Sequence, residues 1–313
     1  MNPNQGYISY IINPKSGSTC IDLSDRNLQR YLLGNGFDLR INRTSSLSNA
    51  CELASEAASD DKCAMVVVVG GDGTIREVAH GLQGSSKPML IVPRGTENLL
   101  ANELGFDEKP DTAIKAFRDG CIRTLDLGCV NNKCFTSIAG FGFDGDIVKR
   151  VNEQRKGHIS HLDYFWPIWR TFWDYKFSSM KVNADGEDIF EGPAIVFVGN
   201  ISRYAMGLDI LKFADYSDGL LDICILKCAG RLHLIKHSIF VTLKQHVKTS
   251  DVIYAQAKKI KITSQSNISS QIDGDPGPEL PAEIKVIPNA IKCFVPKNAK
   301  PAGIRTRIIR VLR

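Results

Sequence analysis

The sequence predicts an α/β chain of two domains: a three-layer domain built on a parallel sheet, followed by a mostly β domain. Three observations predict it. Short apolar runs alternate with amphipathic stretches up to about Arg123. Beyond that point strand-like runs separated by turn residues dominate, and helical text is sparse. The 313 residues are enough for two domains of ordinary size.

In order, Tyr7–Ile12 reads as a strand and NPKSGST as a loop. A helix is expected over Asp22–Leu33, stopped by Gly34-Asn35-Gly36. Phe37–Asn42 is the second strand and Leu47–Ala58 the second helix. Met65–Val69 is apolar on both faces, as a strand between two helical layers must be. Thr74–Gln83 carries Ile75, Val78, Ala79 and Leu82 on one helical side. Met89–Val92 is a fourth strand; Glu97–Leu104 and Asp111–Arg118 are helical. In the second half TLDLGCV, KCFTSIAG, AIVFVGN, GLLDICIL, KKIKITS and AEIKVIP read as strands, which suggests a sandwich or an irregular barrel. Helices are expected over Asp146–Glu153, His161–Tyr175 and Leu232–Thr249. The expected division is 1–128, 129–296 and a basic tail, 297–313.

Hydrophobic residues at 43% and charged residues at 23% are those of a soluble globular protein. No run approaches the ~20 apolar residues of a membrane span, and the N-terminus reads as a strand rather than a signal peptide. The nine cysteines are scattered without a CxxC pair; reduced core thiols in a cytoplasmic protein are expected. The net charge is +5, yet Ile284 to Arg313 holds eight basic residues and no acid. The basic character therefore belongs to the tail, and a nucleic-acid-binding face is not expected.

Chemistry concentrates first in VVVVGGDGTIREVAHGL, Val66–Leu82. A strand that ends in glycines and opens a helix directs backbone N–H groups and the positive end of the helix dipole at one spot, and glycines let a phosphate come close. Taken alone, such a turn is equally well structural. Two further loops change the balance: INPKSGS, with Lys15, after the first strand and PRGTEN after the fourth. In a parallel sheet the loops at the strands' carboxyl ends share one rim, where ligands bind. Neither GxxxxGK[ST] nor GxGxxG occurs at these loops, so a polyphosphate site of another type is expected.

INPKSGS, VVGGDGTIREVAHGL, PRGTENLLANELG and AGFGFDGDIV, with SDGLLDICIL and QIDGDPG further on, resemble in that order the blocks of the diacylglycerol kinase catalytic-domain family. That family includes bacterial lipid kinases and sphingosine and ceramide kinases. The resemblance covers about residues 5–296. GGDGT alone also occurs in NAD kinases and phosphofructokinases. The implied fold is an N-terminal three-layer Rossmann-like domain with a parallel sheet plus a C-terminal mostly-β sandwich domain. The implied activity is ATP-dependent phosphoryl transfer to a lipid hydroxyl, diacylglycerol-like or sphingoid.

By this resemblance ATP lies between the domains, held by Asn13, Pro14, Lys15, Ser16 and Gly17, by Thr44, by Gly70, Gly71, Asp72, Gly73, Thr74, Ile75 and Arg76, and by Thr96 and Asn98. Asp215, Asp218 and the Leu220 carbonyl would bind Mg2+, a hard cation that takes oxygen ligands. Asp275 or Asp273 would be the base. The family usually has Asp-Gly-Glu where this chain has Asp273-Gly274-Asp275, and a base must reach within about 3 Å of its proton, so the shorter side chain leaves the choice between them open. Arg76 and Glu97 also depart from the family's usual asparagine and small residue.

On the acceptor side, residues 158–177 hold Trp166, Trp169 and Trp173 among other aromatics. They suit either an interfacial helix or lipid wall, or the cover of the β domain's core. His158 and His161 read as structural. The terminal GIRTRIIRVLR is a basic amphipathic segment fit for anionic lipid; a helix closing over the first domain or a disordered tail is the competing reading. His233, His237 and His246 read as lying on a solvated face. The expected partners are a lipid substrate, an anionic membrane surface, a second copy of the chain, and no nucleic acid. The expected location is cytoplasmic, peripheral at the inner membrane face. Two alternatives stay open: an NAD-kinase-like enzyme with a soluble acceptor, and a nucleotide- or lipid-binding protein without catalysis.

Overall fold

The structure, a computed structural model, describes residues 6–17, 22–107, 109, 111–154, 165–297 and 299. They form two compact units: the described residues up to Asp126 together with those from Asn289 onward, and Leu127–Pro288.

The first unit alternates strand and helix: β1 (Tyr7–Ile12), α1 (Asp22–Gly34), β2 (Asp38–Arg43), α2 (Leu47–Ser59), β3 (Cys63–Gly70), α3 (Asp72–Gly81), β4 (Pro88–Pro93), α4 (Leu99–Glu103) and α5 (Thr112–Asp119). The strand order is β2-β1-β3-β4, all parallel. Val66–Val69 are fully buried because β3 lies at the centre with both faces covered. β2, with Asp38, Arg40 and Arg43, is the exposed edge. Ser46 caps α2, its Oγ accepting from the Asn49 N–H at 3.1 Å. The chain leaves β1 toward β2 on one side and returns to β3 on the other. The sheet's switch point therefore falls between the carboxyl ends of β1 and β3, where open α/β sheets bind ligands.

The second unit begins within β5 (Cys121–Val130) and continues through β6 (Lys133–Phe135), β7 (Ile138–Phe141), α6 (Phe143–Gln154), α7 (Phe165–Asp174), β8 (Ser179–Ala184), β9 (Glu187–Gly199), β10 (Arg203–Tyr204) and β11 (Leu208–Asp209). Then come β12 (Leu221–Lys227), α8 (Arg231–Thr242), β13 (Val252–Ala257), β14 (Lys259–Thr263), β15 (Ser270–Ile272), β16 (Asp275–Pro276) and β17 (Ala282–Val295). It is a sandwich. One sheet runs through β9, β8, β14 and β17, the other through β15, β7, β9, β12 and β13. β9 serves both: Pro193 pairs with Ser179 of β8, and the next residue, Ala194, pairs with Lys227 of β12. A strand that changes sheets in this way makes a sandwich corner. Phe135, Phe141, Met180, Val196, Ile223, Ile260 and Ile284 fill the space between the sheets. The end of β17 enters the first unit, where Lys292 and Cys293 pair with β4 in parallel.

Two expectations need correction. The helix expected over Leu232–Thr249 ends at Thr242; Lys244 takes a left-handed φ of 55° and a 3-10 turn follows over His246–Lys248. His237 and His246 are buried rather than solvated, their Nε2 atoms 2.8 Å from the Lys227 carbonyl and 2.9 Å from the Ile210 carbonyl. The terminal basic segment, His158 and His161 lie outside the described residues.

Candidate active site

The three small-residue loops of the first unit meet at the switch point. The Asn13 side-chain amide donates to the Thr74 hydroxyl at 2.8 Å, and the Asn13 N–H donates to the Val69 carbonyl at 2.9 Å. Arg94 donates its N–H to the Gly70 carbonyl at 2.7 Å, joining the third loop to the second. A methyl on Gly71 would lie 2.9 Å from the Gly95 Cα, and one on Gly70 would lie 2.6 Å from the Thr74 Cβ. Both glycines are thus required by close approach. Gly71 is the N-cap of α3, and having no side chain it lets a ligand come close to the helix start.

Within the first loop, Lys15 and Pro14 are exposed, the Ser16 N–H bonds to the Asn13 carbonyl at 3.2 Å, and Gly17 takes a φ of +88°. Thr44 is buried, its N–H on the Ile12 carbonyl at 2.9 Å, which puts it on the same rim; the helix cap beside it is Ser46. Thr74 and Ile75 both send their N–H groups to the Gly71 carbonyl at 3.0 Å, and the Ile75 side chain is in the core. Gly73 is half-buried. Asp72 opens α3, adding an acidic group to its first turn. Arg76 is buried against Glu77, whose Oε1 accepts from its Nε at 3.1 Å and its Nη2 at 3.0 Å. Thr96 is exposed. Asn98 reaches back to Gly95, accepting its N–H at 2.6 Å and donating to its carbonyl at 2.8 Å, from a left-handed φ of 49°.

In the second unit the two acids of QIDGDPG are unlike one another. Asp273 and Gly274 have φ of 47° and 81°, the pattern of a type I′ hairpin joining β15 to β16. The Asp273 carboxylate is buried and accepts the N–H groups of Thr136, Ser137 and Ile138 at 2.8, 3.0 and 3.0 Å and the Thr136 hydroxyl at 3.1 Å. It anchors the hairpin. Asp275 is half-exposed on the following strand, opposite Ile272. Lys133 donates to the Pro276 carbonyl at 2.9 Å, and Gln271 Oε1 accepts the Gly274 N–H at 2.8 Å, fixing the strand that carries Asp275.

The SDGLLD turn gathers carboxylates. Asp215 Oδ1 accepts the Ser217 N–H at 3.0 Å and its hydroxyl at 2.9 Å; Asp218 Oδ1 accepts the Leu220 N–H at 2.9 Å. Burial, helped by the charges of Asp218 and Asp215, pushes the nearby Asp222 carboxyl up to about 7 against the hydrogen bonds from Tyr254 and Gln256. Mutually repelling carboxylates beside a backbone carbonyl are the hard oxygen donors that suit Mg2+, so the residues present fit that ion. A cavity of about 410 Å³ adjoins this turn, bounded by Asp218–Leu220 and by Lys258, Lys259 and Lys285.

Sequence reasoning did not single out Asp144, Tyr204 or Glu77. Asp144 is buried, accepts the Tyr204 hydroxyl, and is pushed up to about 6 by that burial. Its signal was AGFGFDGDIV itself. The GxGxxG pattern there, Gly140–Gly145, serves packing: a methyl on Gly145 would lie 2.3 Å from the Ser269 carbonyl oxygen.

A parallel-sheet unit with three loops gathered at its switch point, followed by a sandwich carrying paired acids, has the architecture of a phosphotransferase. Residues 8–130 match the diacylglycerol kinase catalytic domain, and residues 137–295 match the YegS C-terminal NAD kinase beta sandwich-like domain. The chain belongs to the diacylglycerol kinase catalytic-domain family and is a lipid kinase. It is similar to the diacylglycerol kinase of Mycobacterium tuberculosis (strain ATCC 25618 / H37Rv), 29% identical over 300 residues, covering 94% of this chain and 96% of that one. It is likewise similar to the diacylglycerol kinase of Bacillus subtilis (strain 168), 26% identical over 296 residues, covering 92% and 96%. The crystal structure of a diacylglycerol kinase from Bacillus anthracis str. Sterne shares the fold, with a TM-score of 0.68 at 22% identity over 95% of this chain and 97% of that one.

Proposed function

We propose that the chain transfers the γ-phosphate of ATP to the free hydroxyl of a diacylglycerol-like membrane lipid, with Mg2+ as the accompanying ion. The observation that carries this reading is the meeting of three loops at the glycine turn that opens α3, joined by Asn13–Thr74 and Arg94–Gly70. The backbone N–H groups there and Lys15 hold the phosphates. Thr96 and Thr44 border the same rim. Mg2+, if bound by Asp215, Asp218 and the Leu220 carbonyl, would offset the negative charge that these carboxylates otherwise concentrate in the second unit. Asp275 takes the proton from the acceptor hydroxyl as that oxygen attacks the γ-phosphorus and ADP leaves. Asp273, its oxygens already taken up by four donors, positions the hairpin.

A lipid acceptor is drawn from a bilayer, and two helices of the second unit support membrane docking. Phe165, Trp166, Trp169 and Trp173 of α7 are 50–70% exposed. Leu232, Ile235 and Ile239 of α8 and Leu243 just beyond it are 47–82% exposed. Arg231 ties the two helices, donating to the Phe172 and Trp173 carbonyls. Tryptophans beside exposed aliphatic residues match the headgroup boundary of a bilayer. The reading places the enzyme in the cytoplasm, peripheral at the inner membrane face.

The test is transfer from radiolabelled ATP to a panel of diacylglycerol, sphingosine, ceramide and NAD. Label on diacylglycerol is expected. Label on NAD alone, or nucleotide binding with no transfer, overturns the proposal.

A further inference from the structure

α2 and α3 pack closely at Gly81, where a methyl would lie 2.4 Å from the Cys51 carbonyl oxygen and 2.7 Å from the Ala54 Cβ. That approach sets three side chains of different chemistry side by side. Cys51 comes from α2. Glu77 and His80 come from α3, where the spacing Glu-x-x-His puts both on one helical face. Candidate ligand atoms of all three lie within 4.8 Å of one another, and Cys51 Sγ is 3.8 Å from His80 Nδ1.

We propose that Cys51, Glu77 and His80 form a site for a borderline-soft divalent metal ion of the Zn2+ class. The donor set is thiolate, imidazole and carboxylate, the three ligand types that Zn2+ takes in tetrahedral sites. Zn–S of about 2.3 Å and Zn–N of about 2.0–2.1 Å at a tetrahedral angle put sulfur and nitrogen about 3.5 Å apart. The observed sulfur–nitrogen separation is within a few tenths of an ångström of that, and the Glu77 carboxylate, within 4.8 Å of both, closes on the ion by side-chain rotation. All three residues are half-buried, so each is in part accessible to solvent. This donor set differs from the all-oxygen turn at Asp215–Leu220, so the two sites select different ions. The site is coupled to the glycine turn, because the Glu77 carboxylate also holds the Arg76 guanidinium.

Binding displaces the thiol proton, so affinity rises with pH.

The test uses the full chain titrated with Co2+, read by the near-ultraviolet sulfur-to-cobalt charge-transfer band and the visible bands of tetrahedral Co2+, with Zn2+ as competitor. The expected result is one equivalent of tetrahedral Co2+, displaced by Zn2+. The charge-transfer band is lost in Cys51→Ser and kept in Cys121→Ser, whose thiol is exposed elsewhere. His80→Asn retains the fold, measured by circular dichroism, and weakens Co2+ at least about tenfold. No charge-transfer band at equimolar Co2+, or a band that persists in Cys51→Ser, overturns the proposal. None of these readouts uses kinase activity.

Discussion

The side-chain amide of Asn13 donates to the hydroxyl of Thr74 across 2.8 Å, linking the loop after β1 to the first turn of α3. The two residues are far apart in sequence and meet because β1 and β3 are neighbouring parallel strands with their carboxyl ends level. The bond holds the phosphate rim at the proposed ATP site. Asn13→Ala is expected to raise the KM for ATP about tenfold, with a stability loss of about 1 kcal/mol, the typical net worth of one hydrogen bond. Steady-state kinetics with thermal unfolding checks it; an unchanged KM removes Asn13 from the rim.

Gly71 and Gly95 touch backbone to backbone. Gly71→Ala is expected to push the third loop away from the glycine turn, abolishing measurable ATP binding by calorimetry. A loss of about 1–3 kcal/mol in stability, the usual cost of overpacking, should accompany it. Normal ATP affinity in the variant would show that the loops need not meet for binding.

Asp275 and Asp273 separate by what they touch. Asp275→Asn is expected to lower turnover at least about a thousandfold while ATP binding and unfolding temperature stay near wild type. Asp273→Asn should mainly destabilise, by about 2–4 kcal/mol, because an amide cannot accept all the bonds that two carboxylate oxygens accept from Thr136, Ser137 and Ile138. Turnover retained in Asp275→Asn would assign the proton transfer to another group.

Asp222 makes the second unit sensitive to pH. Its folded-state carboxyl is raised to about 7, above the ordinary value of 3.8, so the folded state holds a proton that the unfolded state has released. Stability is therefore expected to fall as pH rises from about 4 to about 7, by on the order of 4 kcal/mol from this group. Mg2+ at Asp215 and Asp218 would counter the negative charge there. The ion should raise the unfolding temperature more at pH 8 than at pH 5, and Asp218→Ala should remove the difference. Equal stabilisation at both pH values would place the ion elsewhere.

The exposed faces of α7 and α8 give a membrane test. Trp169→Ser combined with Ile239→Ser is expected to weaken binding to diacylglycerol-containing vesicles about tenfold or more, with little dependence on salt. Deleting Gly303–Arg313 is expected to weaken binding to anionic vesicles in a salt-sensitive way. Unaltered vesicle sedimentation in either variant excludes that element as an anchor.

Much of this was legible in the residue order. Val66–Val69 followed by Gly70-Gly71-Asp72-Gly73 announces a central strand running into a helix, because few other contexts accept four β-branched residues and then three glycines. The segment Leu232–Thr249 departs from its expected solvated face because its histidines and lysines look solvated in one dimension. The fold buries His237 and His246 on backbone carbonyls and turns Leu232, Ile235 and Ile239 outward. Nothing local distinguishes a polar residue that will find a carbonyl from one that will face water.

The sequence by itself determined the alternation of strand and helix, the three glycine- and hydroxyl-bearing loops and the order of the family's blocks, since periodicity and backbone permissiveness are local properties. Tertiary structure decided which atoms meet: Asn13 with Thr74, Gly71 with Gly95, Asp273 with Thr136–Ile138, and Cys51 with His80. Those contacts depend on strand order and helix packing, which bring distant residues within a few ångströms and which no short stretch of chain encodes.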